Sequence, residues 1–270
     1  MVVNRGSFQM SMVGRRAIAG VVVLAAGAGG AVIARADDAT PHAAATSGGL
    51  LIGPSIIEKP AAAGSVGTLT VANNSSKSVD VTLAARPWTQ STSGAVTLNR
   101  RKTLSGIELS ATSFSLAAKT KKEVAVTAQS AASLYGGVEV IGLPAGSADK
   151  DGVVLGYRLI SSLRLNPATP VLSLVASSPK VTGHGSERAV VLPVKNAGNT
   201  VQPVTGRVSL KSALGTRQRD LESLRILPGK RVNVLLSSVK SLKPGSYTAT
   251  VRLTQGGKTT TVSKKVRVTR

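Results

Sequence analysis

Side chains able to do covalent or metal chemistry are few in this 270-residue chain, and their spacing suits none of it. Cysteine is absent, which excludes disulfides, thiolate metal sites and a lipid-modified cysteine. The two histidines lie far apart. His42 sits in the polar stretch DDATPHAAATSG, and His184 stands between glycines in Thr182-Gly-His-Gly-Ser186, where it reads as a turn residue. Neither has a second ligand at a useful spacing. Asp149-x-Asp151-Gly152 resembles the opening of a calcium loop, but Ile160 stands where that loop needs its closing glutamate. A plain Asp-Gly turn is the better reading. No carboxylate pair has supporting acid–base chemistry around it. The chain is therefore expected to be no enzyme and to use no cofactor or metal.

The chemistry that remains is electrostatic. Lys and Arg number 34 against 12 Asp and Glu, for a net charge of +22. Residues 1–36 carry +4, residues 37–167 carry +3 and residues 168–270 carry +15. Such asymmetry suggests a polyanionic or acidic partner for the C-terminal part. Arg217, Arg219, Lys230, Arg231, Lys264 and Lys265 are the candidate contacts. A basic surface that merely keeps the domain soluble is the competing reading. Nucleic acid is not expected, because the chain carries an export signal and its few aromatics offer no stacking platform.

The elements that must position these cations are strands. Val232, Val234 and Leu236 recur at every second position, as do Tyr247, Ala249, Val251 and Leu253, the period of half-buried strands. Pro228-Gly229 and Pro244-Gly245 mark strand starts. A weaker copy lies upstream. Leu116 to Tyr135 spans nearly the same distance as Leu227 to Tyr247, and Thr68–Asn73 corresponds to the segment ending in Val194-Lys-Asn196. Seven or so short strands per copy, with turn signals between them, predict an all-β chain of two tandem immunoglobulin-like β-sandwiches. Trp88, the sole tryptophan, is expected to anchor the first core between its sheets. Residues 89–106, with Arg100-Arg101-Lys102, read as a solvated loop, and Arg217–Leu224 could close one or two helical turns. Leu242-Lys-Pro-Gly-Ser-Tyr247 resembles a tyrosine corner.

Residues 1–36 read as a signal peptide. Arg5, Arg15 and Arg16 precede the apolar run Ala17–Ala34, and Ala34-Arg35-Ala36 fits a cleavage site. Membrane attachment is expected only if this segment stays uncleaved. Residues 37–48 form a linker, 49–167 the first sandwich and 168–270 the second, strongly basic one. Asn166-Pro167-Ala-Thr-Pro170 is the boundary, and its prolines should restrict the angle between the sandwiches.

Leu69-Thr-Val71-Ala-Asn73-Asn74-Ser75 and Leu134-Tyr-Gly136-Gly137-Val138 in the first copy resemble the first domain of WxL-interacting cell-surface proteins of Gram-positive bacteria. Asn196-Ala-Gly-Asn199-Thr200, Ile226-Leu-Pro228-Gly229 and Pro244-Gly245-Ser-Tyr247 are similar to their second domain. The resemblance implies an exported protein, secreted or held at the cell envelope, that binds anionic cell-wall polymer or a surface protein without catalysis. It supplies no catalytic residues. That family usually ends in a membrane helix and basic tail, whereas this sequence stops at Arg270, so a secreted or wall-retained form is the expectation. The alternative is a pilus-type chaperone, which also has two immunoglobulin-like domains and caps clients by strand addition. In that reading Arg158 resembles the basic residue that anchors a client's C-terminus, although Ser55-Ile56 stands where a Thr-Arg partner pair belongs.

Overall fold

The structure, a computed structural model, describes residues 20–21, 49–147 and 153–269. The remainder of the expected signal segment, the linker with His42 and the Asp149–Gly152 turn lie outside the described residues.

The first sandwich is built from β1 (Gly20–Val21), β2 (Leu50–Gly53), β3 (Ile56–Pro60), β4 (Gly64–Asn73), β5 (Val79–Gln90), β6 (Val96–Leu98), β7 (Ile107–Leu109), β8 (Ser113–Leu116), β9 (Lys121–Ala128), β10 (Leu134–Pro144) and β11 (Gly156–Asn166). One sheet runs β2-β4-β9-β7. The other runs β11-β10-β5, with β6 and β8 on β5 and with β3 and β1 on β11. The chain passes from one sheet to the other at the cis Gly53–Pro54 bond, so that β2 pairs with β4 and β3 pairs in parallel with β11. Every second residue of β5 (Val79, Val81, Leu83, Ala85) is buried. These side chains meet Leu69, Val71, Val124 and Val126 of the facing sheet in one core. A bulge between Ser65 and Gly67 of β4 shifts the phase, which lets both Val66 and Leu69 point inward.

The second sandwich comprises β12 (Leu174–Ala176), β13 (Lys180–Thr182), β14 (Ala189–Asn196), β15 (Val204–Ser212), β16 (Gly215–Leu224), β17 (Arg231–Ser238), β18 (Gly245–Gln255) and β19 (Lys258–Val268). β12, β13 and β17 all pair with β14, and the facing sheet is β16-β15-β18-β19. Val232, Val234, Leu236, Tyr247, Ala249, Val251 and Leu253 fill a second, separate core, as their alternation predicts. The chain thus folds as two tandem immunoglobulin-like β-sandwiches. The Tyr247 hydroxyl donates to the Lys243 carbonyl at 2.8 Å, closing the tyrosine corner.

The two copies share one turn device. Asn73 and Asn196 are both fully buried at the ends of β4 and β14. The Asn73 side-chain amide donates to the Leu116 carbonyl at 3.0 Å, and that of Asn196 donates to the Ile226 carbonyl at 2.7 Å. Their backbone N–H groups bond Thr120 and Lys230 in the same way. The structural counterpart of Leu116 is therefore Ile226, one residue before the Leu227 that spacing suggests.

Three expectations are corrected. Trp88 is half-buried and lies outside the core, because it falls out of phase with Val79, Val81, Leu83 and Ala85 and pairs instead with Leu98 of β6. Residues 89–106 are only partly loop, since β5 extends to Gln90 and β6 folds back on it. Arg217–Leu224 is strand, not helix, and pairs along β15. Its one buried apolar residue, Leu221, suffices for an edge strand whose backbone is satisfied by its neighbour.

Candidate binding surfaces

β11 carries the most unusual surface of the first sandwich. Leu163 and Leu165 are fully buried, Ser161 is buried, and Leu159 and Tyr157 on the same face are partly covered. Upstream, before the strand begins, Leu155 is 68 % and Val153 75 % exposed. Two exposed apolar side chains thus precede the start of β11. The outer edge of the strand is incompletely covered as well. β3 pairs only with Ser162–Asn166, and Gly20–Val21 pairs with Gly156–Tyr157, both in parallel. Between them, Arg158–Ser161 have no strand on that edge among the described residues.

Where β3 meets β11, Glu58 accepts from Arg164 at 2.9 Å and from Asn166 at 3.0 Å. The Asn166 hydrogen bond first, and the Arg164 guanidinium second, hold its carboxyl below the usual glutamate range. A carboxyl that binds its proton less tightly folded than unfolded stabilises the fold above its unfolded value, and loses that contribution as pH falls through its folded value. Glu58→Gln is therefore expected to flatten the acid limb of the stability profile below about pH 4.5. Urea midpoints taken from pH 6 to pH 3 check this; parallel profiles for variant and parent would refute it.

On the opposite face of β11, Arg158 points outward. Its Nε donates to Oε1 of Glu139 at 2.6 Å. Glu139, on β10, is only 2 % exposed although it belongs to the outer face of its sheet. Two further guanidiniums cover it: Arg86 of β5 at 3.6 Å and Arg100, from the turn after β6, at 3.3 Å. Arg158 is thus already engaged with a buried carboxylate, and it lies on the face away from Tyr157 and Leu159. Arg100, expected in a free loop, is the third wall of this cluster.

The sandwiches meet along a polar seam. The Gln90 side chain donates to the Arg225 carbonyl at 2.8 Å and accepts from the Leu227 N–H at 2.9 Å. The Asn233 N–H donates to the Thr92 carbonyl at 2.7 Å, so the β5–β6 turn lies against the edge of β17. The Tyr135 hydroxyl donates to the Asn199 carbonyl at 3.1 Å, and burial raises its pKa above the usual tyrosine value. The residue placed like Tyr247 in the second copy thus serves the junction in the first.

The six candidate cations do not share a surface. Arg217 and Arg219 are exposed on β16 in the phase of Leu221, and reach across the open side of the sandwich to the Ser241 and Leu235 carbonyls. Grooves of about 250 and 310 Å³ lie between β16 and β17 there. Lys230 and Arg231 stand at the start of β17 in the other sheet. Lys264 and Lys265 are on β19, at the far edge of the β16-β15-β18-β19 sheet, and point to opposite sides of it. Among the described residues no group of three His, Asp or Glu side chains could hold a metal ion. No described helix is long and apolar enough to cross a membrane.

No family model and no curated protein matches this chain. Several solved structures do. A chain from "Chaperone-tip adhesin complex is vital for synergistic activation of CFA/I fimbriae biogenesis" is similar at a TM-score of 0.53 and 13% identity, over 80% of this chain and 98% of that one. The class 5 fimbriae chaperone CfaA is similar at a TM-score of 0.48 and 14% identity, over 80% of this chain and 98% of that one. The E. coli chaperone DraB is similar at a TM-score of 0.41 and 16% identity, over 83% of this chain and 98% of that one. The first of these likenesses establishes the two-domain immunoglobulin-like fold. The resemblance to WxL-interacting proteins finds no support among them.

Proposed function

We propose that this chain is an exported, non-enzymatic chaperone that caps a client protein by β-strand addition along β11. In this reading residues 1–36 are the signal, 37–48 the linker, 49–167 the capping sandwich and 168–270 the second sandwich. One observation carries it: β11, whose Tyr157 and Leu159 pack on the core of the first sandwich, is preceded by the exposed apolar side chains Leu155 and Val153 and has an incompletely paired edge. A client lacking a strand has the complementary defect, an open core and an unpaired edge. Adding a strand to β11 supplies backbone partners, while Val153 and Leu155 fill the client's core. The parallel pairings already present on β11 indicate the sense in which a client strand would add. The likeness to a chaperone–tip adhesin complex supports this reading through the fold it shares.

The test uses an immunoglobulin-like domain deleted of its last strand, which aggregates on its own. The parent chain is expected to hold it in a soluble one-to-one complex. Burying two apolar side chains contributes about 1.5–3 kcal/mol each, so Val153→Asp with Leu155→Asp should weaken capture on the order of a hundredfold or more. Undiminished capture by that double variant would eliminate the proposal.

A further inference from the structure

We propose that the outer face of the β16-β15-β18-β19 sheet is a binding surface for a linear acidic polysaccharide, separate from the β11 edge and independent of the capping reading. The strand registers put five cations on this face. Lys211 and Lys265 flank Thr248 in one row across the strands. Arg207 and Arg252 are direct neighbours in another row. Arg267 lies opposite Ser246 at the end of the face.

Between the two cationic rows lies a row of polar groups, Gln218, Ser209, Thr250 and Ser263. Its Thr250 and Ser263 hydroxyls are 3.0 Å apart. Lys211 stands four residue steps along the strand from Arg207, about 13 Å, and Lys211 and Lys265 are two strand spacings apart, about 10 Å. The face thus presents charges at sugar-scale intervals with hydroxyls between them. Asp220 and Glu222 are the only acids on the four strands, and Asp220 is tied to Arg207 at 2.8 Å.

Two features mark this as more than a solvated surface. Arg207 and Arg252 oppose each other directly, and Asp220 partners only Arg207, so the Arg252 guanidinium is the one left for an anion from outside the sheet. Apolar and aromatic side chains are absent from the outward positions of these strands. The strands of this face therefore offer nothing to insert into a lipid bilayer and nothing on which to stack a base, although Leu214 is exposed in the β15–β16 turn. Charges interleaved with hydroxyls match a ligand that is itself both anionic and polyhydroxylated. The surface differs from the set picked by charge alone: of Arg217, Arg219, Lys230, Arg231, Lys264 and Lys265, only Lys265 belongs to it.

The test titrates the full chain with polygalacturonate, neutral dextran and poly-L-glutamate at low and at physiological salt. Polygalacturonate should bind, more weakly at the higher salt because exposed charges are screened. Dextran should not bind, and poly-L-glutamate should bind at least about tenfold more weakly than polygalacturonate. Lys211→Ser/Arg252→Ser/Lys265→Ser should lose about tenfold or more in affinity. Arg217→Ser/Arg219→Ser/Lys264→Ser removes the same charge from elsewhere on this sheet and should stay within about twofold of the parent. Arg252→Ser alone keeps the Arg207–Asp220 pair, relieves a like-charge contact and provides a folded variant if the triple does not melt cooperatively. Equal losses in both triples would reduce the effect to net charge and overturn the proposal. So would equal affinity for poly-L-glutamate, or tighter binding to duplex DNA or anionic vesicles.

Discussion

Asn196→Ala is expected to destabilise the second sandwich by about 3 kcal/mol, since it leaves two buried carbonyls without their donor and removes a further hydrogen bond from the turn. The Asn196 amide donates to the Thr200 and Ile226 carbonyls, both at 2.7 Å, and its Oδ1 accepts from the Gly198 N–H at 2.9 Å. Alanine replaces none of these, and the site is closed to water because Asn196 is fully buried. The turn itself has no slack. A side chain at Gly198 would strike the Val171 carbonyl, so the chain cannot re-form around the gap. For a sandwich of this size the loss corresponds to a fall in Tm of roughly 12–20 °C. Two probes separate the modules. Trp88, the only tryptophan, reports the first sandwich, and far-ultraviolet circular dichroism reports both. Asn196→Ala should lose part of its dichroism well before its tryptophan signal changes. Asn73→Ala should instead bring the tryptophan transition forward, because Asn73 donates to Lys77, Leu116 and Ala117 at 2.9–3.1 Å. Melts within 2 °C of the parent in both variants would show that the shared device is dispensable.

The Glu139 cluster should be nearly as sensitive, and in a way that salt reveals. Glu139→Gln removes the single negative charge on which Arg86, Arg100 and Arg158 converge. Breaking a buried pair by deleting one partner costs about 3–5 kcal/mol, and partial exposure of the arginines brings this towards about 2–3 kcal/mol. The three guanidiniums then repel one another, so the variant should regain stability between 0.05 and 1 M NaCl while the parent changes little. Deleting one arginine is milder, because two remain beside the carboxylate. In a double-mutant cycle Glu139→Gln with Arg158→Leu should therefore be less harmful than the sum of the single changes. A Glu139→Gln variant with a parental urea midpoint and no salt response would refute this account.

Alternation made the strands legible, because a buried face must recur at every second residue and Val, Leu and Ile mark it. It also carried more than the choice of candidate cations used. Adjacent strand residues point to opposite faces, so Lys264 and Lys265 could never share a ligand, whereas Arg207 and Lys211 could. Trp88 misled for the same reason: its size suggested a core, and its phase after Ala85 denied it one. Arg217–Leu224 has too few apolar residues to declare its period, and only pairing with β15 fixes it. The Glu139 cluster had no local signal. Its three arginines come from β5, the turn after β6, and β11, and they meet only after the sheet has ordered those segments. Gln90 was hidden likewise, since its partners lie 135 and 137 residues away.

That Gln90 seam sets an order of events as the chain is made. The first sandwich is complete once β11 ends at Asn166, but the Gln90 amide and the Thr92 carbonyl must wait about sixty residues for Arg225, Leu227 and Asn233. At roughly 5–20 residues per second, that interval lasts roughly 3–12 s. During it the earlier sandwich stands folded with the Gln90 side chain held only by the Gly94 carbonyl and the Thr92 carbonyl still to be met, and the later one then closes against a finished template. Assembly therefore proceeds as docking onto a solid half, and any partner that reaches the Gln90 corner within those seconds competes with the chain's own second half.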